Sequence, residues 1–233
     1  MHIGLIGGIG VAATVVYYQR LAAAVSAKGQ KLDLTIVQAD APTLVKNNRE
    51  DNRAAQAEIY AILIDRLKAA GADCAAITSL GGHFCYDETV ALSSLPLVSG
   101  VTPLDSYFAG QGLRRVGLLG TRVVMATKLY GQLSQTDAVA IEDKLDELGQ
   151  RYIDMALAGA ATDADRDYFL DAGQRLICDH GADAVVLAGT DLNLAFDGQK
   201  TDYRVIDALE VHVDLLARLA CDEIGLDELE TAG

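Results

Sequence analysis

The sequence predicts an α/β protein made of two duplicated halves, each a parallel sheet flanked by helices. Three observations carry this. Short segments that are apolar throughout recur along the chain, as strands do when helices cover both faces of their sheet. Stretches with helical spacing separate them, giving a βα order. Two segment pairs also repeat at nearly one offset, which is the mark of internal duplication.

The first repeated segment is His2-Ile-Gly-Leu-Ile-Gly-Gly8, a strand running into a glycine turn, matched by Arg115-Val-Gly-Leu-Leu-Gly-Thr121 at 115 − 2 = 113. The second is Gly71-Ala-Asp-Cys-Ala-Ala-Ile-Thr-Ser79, matched by Gly181-Ala-Asp-Ala-Val-Val-Leu-Ala-Gly189 at 181 − 71 = 110. Strands are expected near residues 2–7, 33–38, 74–79 and 97–100, then 115–120, 138–141, 184–189 and 203–206. Ile59, Leu63, Leu67 and Ala70 have helical spacing before Gly71, and Ile153, Leu157, Phe169, Leu176 and Ile177 serve the second half. Residues 207–226 read as a last amphipathic helix that packs back on the first half. The expected domains are therefore 1–100 with 207–233, and 101–206, with a ligand cleft between them.

Composition narrows the function. With 51% apolar residues, 233 residues can bury a substantial core, and no apolar run reaches the roughly 20 needed to span a bilayer. The chain starts on Met-His-Ile-Gly-Leu-Ile-Gly without a basic leader, so a cytoplasmic protein with no membrane partner is expected. A formal charge of −14 argues against nucleic acid, because binding phosphates needs clustered Lys and Arg. Cys74, Cys85, Cys178 and Cys221 are scattered, which suggests neither zinc nor disulfides. Gly7, Gly8 and Gly10 miss the dinucleotide spacing, since a third glycine would fall at Ala13.

In open parallel sheets the ligand lies beyond the carboxyl ends of the strands. Those ends carry Gly7-Gly8-Ile9-Gly10, Thr78-Ser79, Gly120-Thr121-Arg122 and Gly189-Thr190-Asp191. Gly8 and Gly10 have two readings: backbone approach to a substrate carboxylate at a helix start, or tight strand-to-helix packing. Thr121 and Thr190 read as ligand-binding hydroxyls or as helix caps. Asn47, Asn48 and Arg49 form a polar cluster that is either a carboxylate clamp or a solvated loop.

The ordered set of motifs resembles the aspartate/glutamate racemase superfamily. It comprises Ile3-Gly-Leu-Ile-Gly-Gly-Ile9 with Thr14 and Tyr17-Tyr18, Gly71-Ala-Asp73, Ser79 to His83, and Pro96-Leu97-Val98. Leu118-Leu-Gly-Thr-Arg122 with Met125, Thr190-Asp191-Leu192, and Asp207 with His212 complete it along the whole chain. The resemblance implies two pseudosymmetric α/β domains, a cleft for a small amino acid or carboxylate, a homodimer and no cofactor. It also implies an isomerase that moves a proton at the carbon next to a carboxyl group, with two thiols as acid and base. By position those thiol slots fall on Ser79, in Thr78-Ser-Leu-Gly-Gly-His83, and on Gly189. The internal repeat pairs Ser79 with Gly189 independently.

Neither slot holds sulfur. A thiol titrates near 8.5 and is readily tuned, whereas a serine hydroxyl is a poor base and glycine offers none. Substitutes nearby are His83, Cys85 and Asp191. His83 is a base by its ordinary pKa or a brace for its loop; Cys85 is a displaced thiol or a buried small hydrophobe. Asp191 is a base, a group that orients water, or a structural partner that pairs with His212. Gly8, Ile9, Gly10, Thr14, Ser79, Gly81, Thr121 and Thr190 are the expected substrate-binding set. A non-catalytic carboxylate-binding protein and a divergent lyase or isomerase are the competing readings.

Overall fold

The computed structural model describes residues 1–230, so the last three residues of the segment 207–233 lie outside the described residues. The first half runs β1 (His2–Gly7), α1 (Val11–Ala27), β2 (Asp33–Gln38), α2 (Ala41–Arg49), α3 (Arg53–Ala69) and β3 (Cys74–Ile77). A 3₁₀ segment (Leu80–Cys85), α4 (Tyr86–Leu92) and β4 (Leu97–Val98) complete its sheet. Next come α5 (Pro103–Gly110), β5 (Arg115–Leu119), α6 (Arg122–Ala126), β6 (Asp137–Val139), α7 (Leu145–Ala158) and α8 (Asp163–Cys178). The chain closes with β7 (Ala184–Leu187), a 3₁₀ segment (Thr190–Leu192), α9 (Asn193–Phe196), β8 (Val205–Asp207), α10 (Ala208–Ala220) and α11 (Asp227–Glu230).

The two sheets have the same plan, β2-β1-β3-β4 and β6-β5-β7-β8, parallel throughout. Ile3 pairs with Cys74 in one and Val116 with Ala184 in the other, which restates the offsets 116 − 3 = 113 and 184 − 74 = 110 in hydrogen-bond register. Packing repeats as well. A Cβ on Gly4 would lie 2.9 Å from Leu67, and one on Gly117 would lie 2.7 Å from Leu176. A glycine in each central strand thus admits the covering helix, α3 or α8, to close range.

Helix α10 returns to the first sheet. Its Leu209, Val213 and Leu216 join Tyr17, Leu21 and Val25 of α1 over Ile3 and Leu5. The helix stops at Ala220, earlier than the sequence spacing suggests, and Asp222 follows with φ of 54°. Strands β3 and β7 end two residues before Ser79 and Gly189, because both residues leave the ladder to start 3₁₀ segments. Leu157, placed in the core by its spacing, is half exposed on α7. Among the described residues no helix is long and apolar enough to cross a membrane.

Candidate functional site

The carboxyl ends of β1, β3, β5 and β7 meet where the halves face each other. Ser79 and Gly189 start their 3₁₀ segments with nearly identical backbones, φ/ψ of −131/118° and −122/116°, as equivalent positions should. A Cβ on Gly8 would touch Ser79 at 2.4 Å, and one on Gly81 would lie 2.8 Å from Thr121. Gly8, Ile9, Gly10, Thr14, Ser79, Gly81, Thr121, Gly189, Thr190 and Asp191 are all buried. The facing surfaces are closed on one another.

Asp191 is the centre of this contact. Its carboxylate, 0% exposed, crosses from the second half to the start of α1 and accepts the Ala13 N–H at 2.9 Å. Helix α1 has no cap of its own: its N-cap residue is Gly10, and its first turn carries no acidic side chain. A Cβ on Gly10 would sit 1.9 Å from the Asp191 Oδ1, so glycine there is a steric requirement. The other oxygen of Asp191 accepts the Tyr152 hydroxyl at 3.2 Å. Burial pushes the Asp191 pKa up to about 6, against the lowering pull of the Ala13 N–H, the Tyr152 hydroxyl and the Gly10 N–H.

Tyr152, on α7, is the residue that sequence reasoning missed. It fills the space where a side chain at Gly189 would stand: a Cβ there would lie 2.4 Å from Tyr152 Cε2 and 3.0 Å from the Gly120 Cα. In the sequence it is one more aromatic on a buried helix face, and no local signal separates it from core.

His83 does not reach this contact. Its Nδ1–H donates to the Ser79 carbonyl at 2.8 Å, and its Nε2 accepts the Gly100 N–H at 3.0 Å. One neutral tautomer satisfies both bonds, and burial pulls the pKa down to about 4. The ring stacks on Tyr86 and braces its loop. Cys85 is also fully buried, with Sγ near the Gly82 carbonyl and the Thr89 hydroxyl, and burial pushes its thiol up to about 11. His83, Cys85 and Asp191 share no hydrogen-bond partner.

Asp191 does not pair with His212, contrary to the sequence expectation: His212 Nδ1 bonds the Tyr17 hydroxyl at 2.9 Å, and Asp191 turns to Tyr152 and α1 instead. The Thr190 hydroxyl donates to the Thr78 carbonyl at 3.0 Å and so joins the two halves. The Thr14 and Thr78 hydroxyls bond at 3.1 Å. Thr121 caps α6. Ser79 accepts the Gly82 N–H at 3.3 Å. The cluster at residues 47–49 is neither a clamp nor a solvated loop. Asn47 bonds Gln56, Asn48 holds the Gly81 carbonyl at 2.9 Å, and Arg49 crosses to Gln150. Tyr130, from the second half, also donates to the Leu80 carbonyl at 2.8 Å. Among the described residues no group of three His, Cys, Asp or Glu side chains is arranged to hold a metal ion.

A family profile described as Asp/Glu/Hydantoin racemase matches residues 6–216. The chain is similar in structure to an aspartate racemase homologue from Pyrococcus horikoshii OT3, with 22% identity, a TM-score of 0.74, and coverage of 94% of this chain and 99% of that one. It is similar to an aspartate racemase from Picrophilus torridus at 19% identity and a TM-score of 0.72, with 95% of each chain covered. A glutamate racemase from Francisella tularensis, solved with D-glutamate, aligns at 14% identity and a TM-score of 0.66, over 95% of this chain and 81% of that one. At these identities the structural likeness speaks for the fold.

Proposed function

The chain belongs to the Asp/Glu/hydantoin racemase family, and from that premise we propose that its cleft takes a small amino acid or carboxylate without the two-thiol racemisation of that family. The observation that carries this is the second slot. Gly189 has not merely lost a sulfur; the Tyr152 ring stands where the side chain would be, 2.4 Å from an added Cβ. The first slot holds Ser79, whose hydroxyl accepts the Gly82 N–H and has no neighbouring base to activate it. What remains at the strand ends are backbone donors and hydroxyls, the groups that hold a carboxylate. Since all of them are buried, a ligand enters when residues 101–206 swing away from 1–100 with 207–230. In this reading the protein works as a cofactor-independent homodimer, as the family resemblance implies, and in the cytoplasm, as the sequence suggests.

One specific observation favours a second reading, proton transfer by Asp191 alone. Its carboxylate titrates at about 6 and touches the Tyr152 hydroxyl at 3.2 Å, and a base poised near neutrality with a phenol beside it can exchange a proton at one face of a carbon. Incubation with amino acids and dicarboxylates in heavy water, read by NMR at the α-carbon and by chiral chromatography, separates the two. The first reading expects binding in calorimetry with neither exchange nor racemisation. Exchange without racemisation, abolished in Asp191→Asn, establishes the second. Two-sided racemisation by the wild type overturns both.

A further inference from the structure

The Asp191 carboxylate lies where a ligand's carboxylate would be held under the reading above, at the unpaired N–H groups that open α1. We propose that Asp191 is a built-in occupant of that anion cradle, a self-inhibitory contact that keeps the cleft shut until an external carboxylate takes its place. The inference rests on the binding reading and adds how the site is regulated.

Four features of the contact go beyond an ordinary helix cap. A cap is usually supplied by the residue at the N-cap itself, at almost no cost in chain ordering. Here that residue is Gly10, and the carboxylate comes from 178 residues away, in the other half of the duplication. The Gly10 Cα is open toward Asp191 to the point that any side chain would overlap its Oδ1, so the loop is shaped around a carboxylate. The Ala13 contact crosses between the halves beside the bond from the neighbouring Thr190 to the Thr78 carbonyl; withdrawing Asp191 therefore removes one of the fastenings between the halves at the point where a substrate must enter. Finally, the contact is held at a loss. Burial raises the Asp191 pKa to about 6, which means that the charged form is less comfortable in the closed protein than in water. Swinging out into solvent returns that loss to Asp191, while an incoming carboxylate takes over the Gly10 and Ala13 N–H groups and the positive end of the α1 dipole together with the burial penalty, which the ligand's remaining contacts must offset.

The contact makes opposite demands on two substitutions at one position. Asp191→Ala empties the cradle, so a carboxylate competes with nothing. Asp191→Asn fills it with a neutral side chain of the same shape, which is spared the burial penalty and leaves less willingly. Succinate is titrated calorimetrically at neutral pH into the wild type and both variants, with circular dichroism to establish folding and thermal melts alongside. The expected result is succinate binding at least tenfold tighter than wild type in Asp191→Ala, and severalfold weaker in Asp191→Asn, which also melts higher. A purely structural cap predicts that neither variant changes succinate affinity.

A folded Asp191→Ala protein that binds succinate no better than the wild type overturns the inference. If that variant does not fold, Asp191→Asn decides: unchanged or tighter binding overturns the inference, weaker binding sustains it. The underlying reading fails separately. Succinate bound by Asp191→Ala and by nothing else sustains self-occupancy and removes the wild type as a carboxylate binder. Equal binding by all folded forms keeps the reading and removes the self-occupancy.

Discussion

Replacing Gly189 by cysteine puts a thiol at the position proposed as the second slot and measures how completely the Tyr152 ring occupies it. The new Cβ would lie 2.4 Å from Tyr152 Cε2, 2.7 Å from its Cζ and 3.0 Å from the Gly120 Cα. Ordinary carbon contacts are roughly 3.5–4.0 Å, so the ring must retreat by about 1 Å or more. It has little room, because Tyr152 is 1% exposed and its hydroxyl is fixed on Asp191. Overpacking of this kind costs about 1–3 kcal/mol, and in a chain of this size each kcal/mol moves the melting temperature by roughly 2–4 °C. Gly189→Cys should therefore melt about 2–12 °C below the wild type. Tyr152→Ala alone should cost about 3–5 kcal/mol for the lost ring. In the double variant the cysteine should add almost nothing, a coupling of about 1–3 kcal/mol in a double-mutant cycle. Thermal denaturation of the four proteins by circular dichroism reads all three quantities. If Gly189→Cys melts within about a degree of the wild type, Tyr152 does not occupy the slot and the argument built on it fails.

Two further outcomes follow from the same contact. Thr190→Val should lose about 1–3 kcal/mol in urea unfolding, because the buried Thr78 carbonyl loses its donor. Asp191→Asn should gain on the wild type as the pH rises. The folded pKa of Asp191, about 6, lies above the roughly 3.9 of an unfolded Asp, so its stabilising protonated state is complete below pH ~4 and lost as the pH passes through ~6. The amide has no such loss, and the difference in unfolding free energy should move in its favour by about 3 kcal/mol between pH ~4 and ~7.5. A pH-independent difference would refute the assignment of the raised pKa to Asp191.

The sequence by itself determined the duplication, the βα order and the equivalence of Ser79 and Gly189. Each is written in residues close together in the chain: an apolar strand, the glycine that ends it, and the same pattern about 110 positions on, at 113 and 110. Local chemistry fixes those features, because a strand covered by helices must be apolar on both faces wherever it stands. It also placed the strand ends that meet at the site and showed that neither Ser79 nor Gly189 carries sulfur. Only the tertiary structure decided what those ends do to one another. That Asp191 caps α1 rather than pairing with His212, that the Tyr152 ring fills the space beside Gly189, and that His83 Nε2 is spent on the Gly100 N–H depends on groups brought together from different elements. No short window of sequence contains the Asp191–Ala13, Tyr152–Gly189 or His83–Gly100 pairs. A buried polar group takes whichever partner the packing of the elements sets within hydrogen-bond reach, and for Asp191 that choice is made across the interface between the halves, not along the chain.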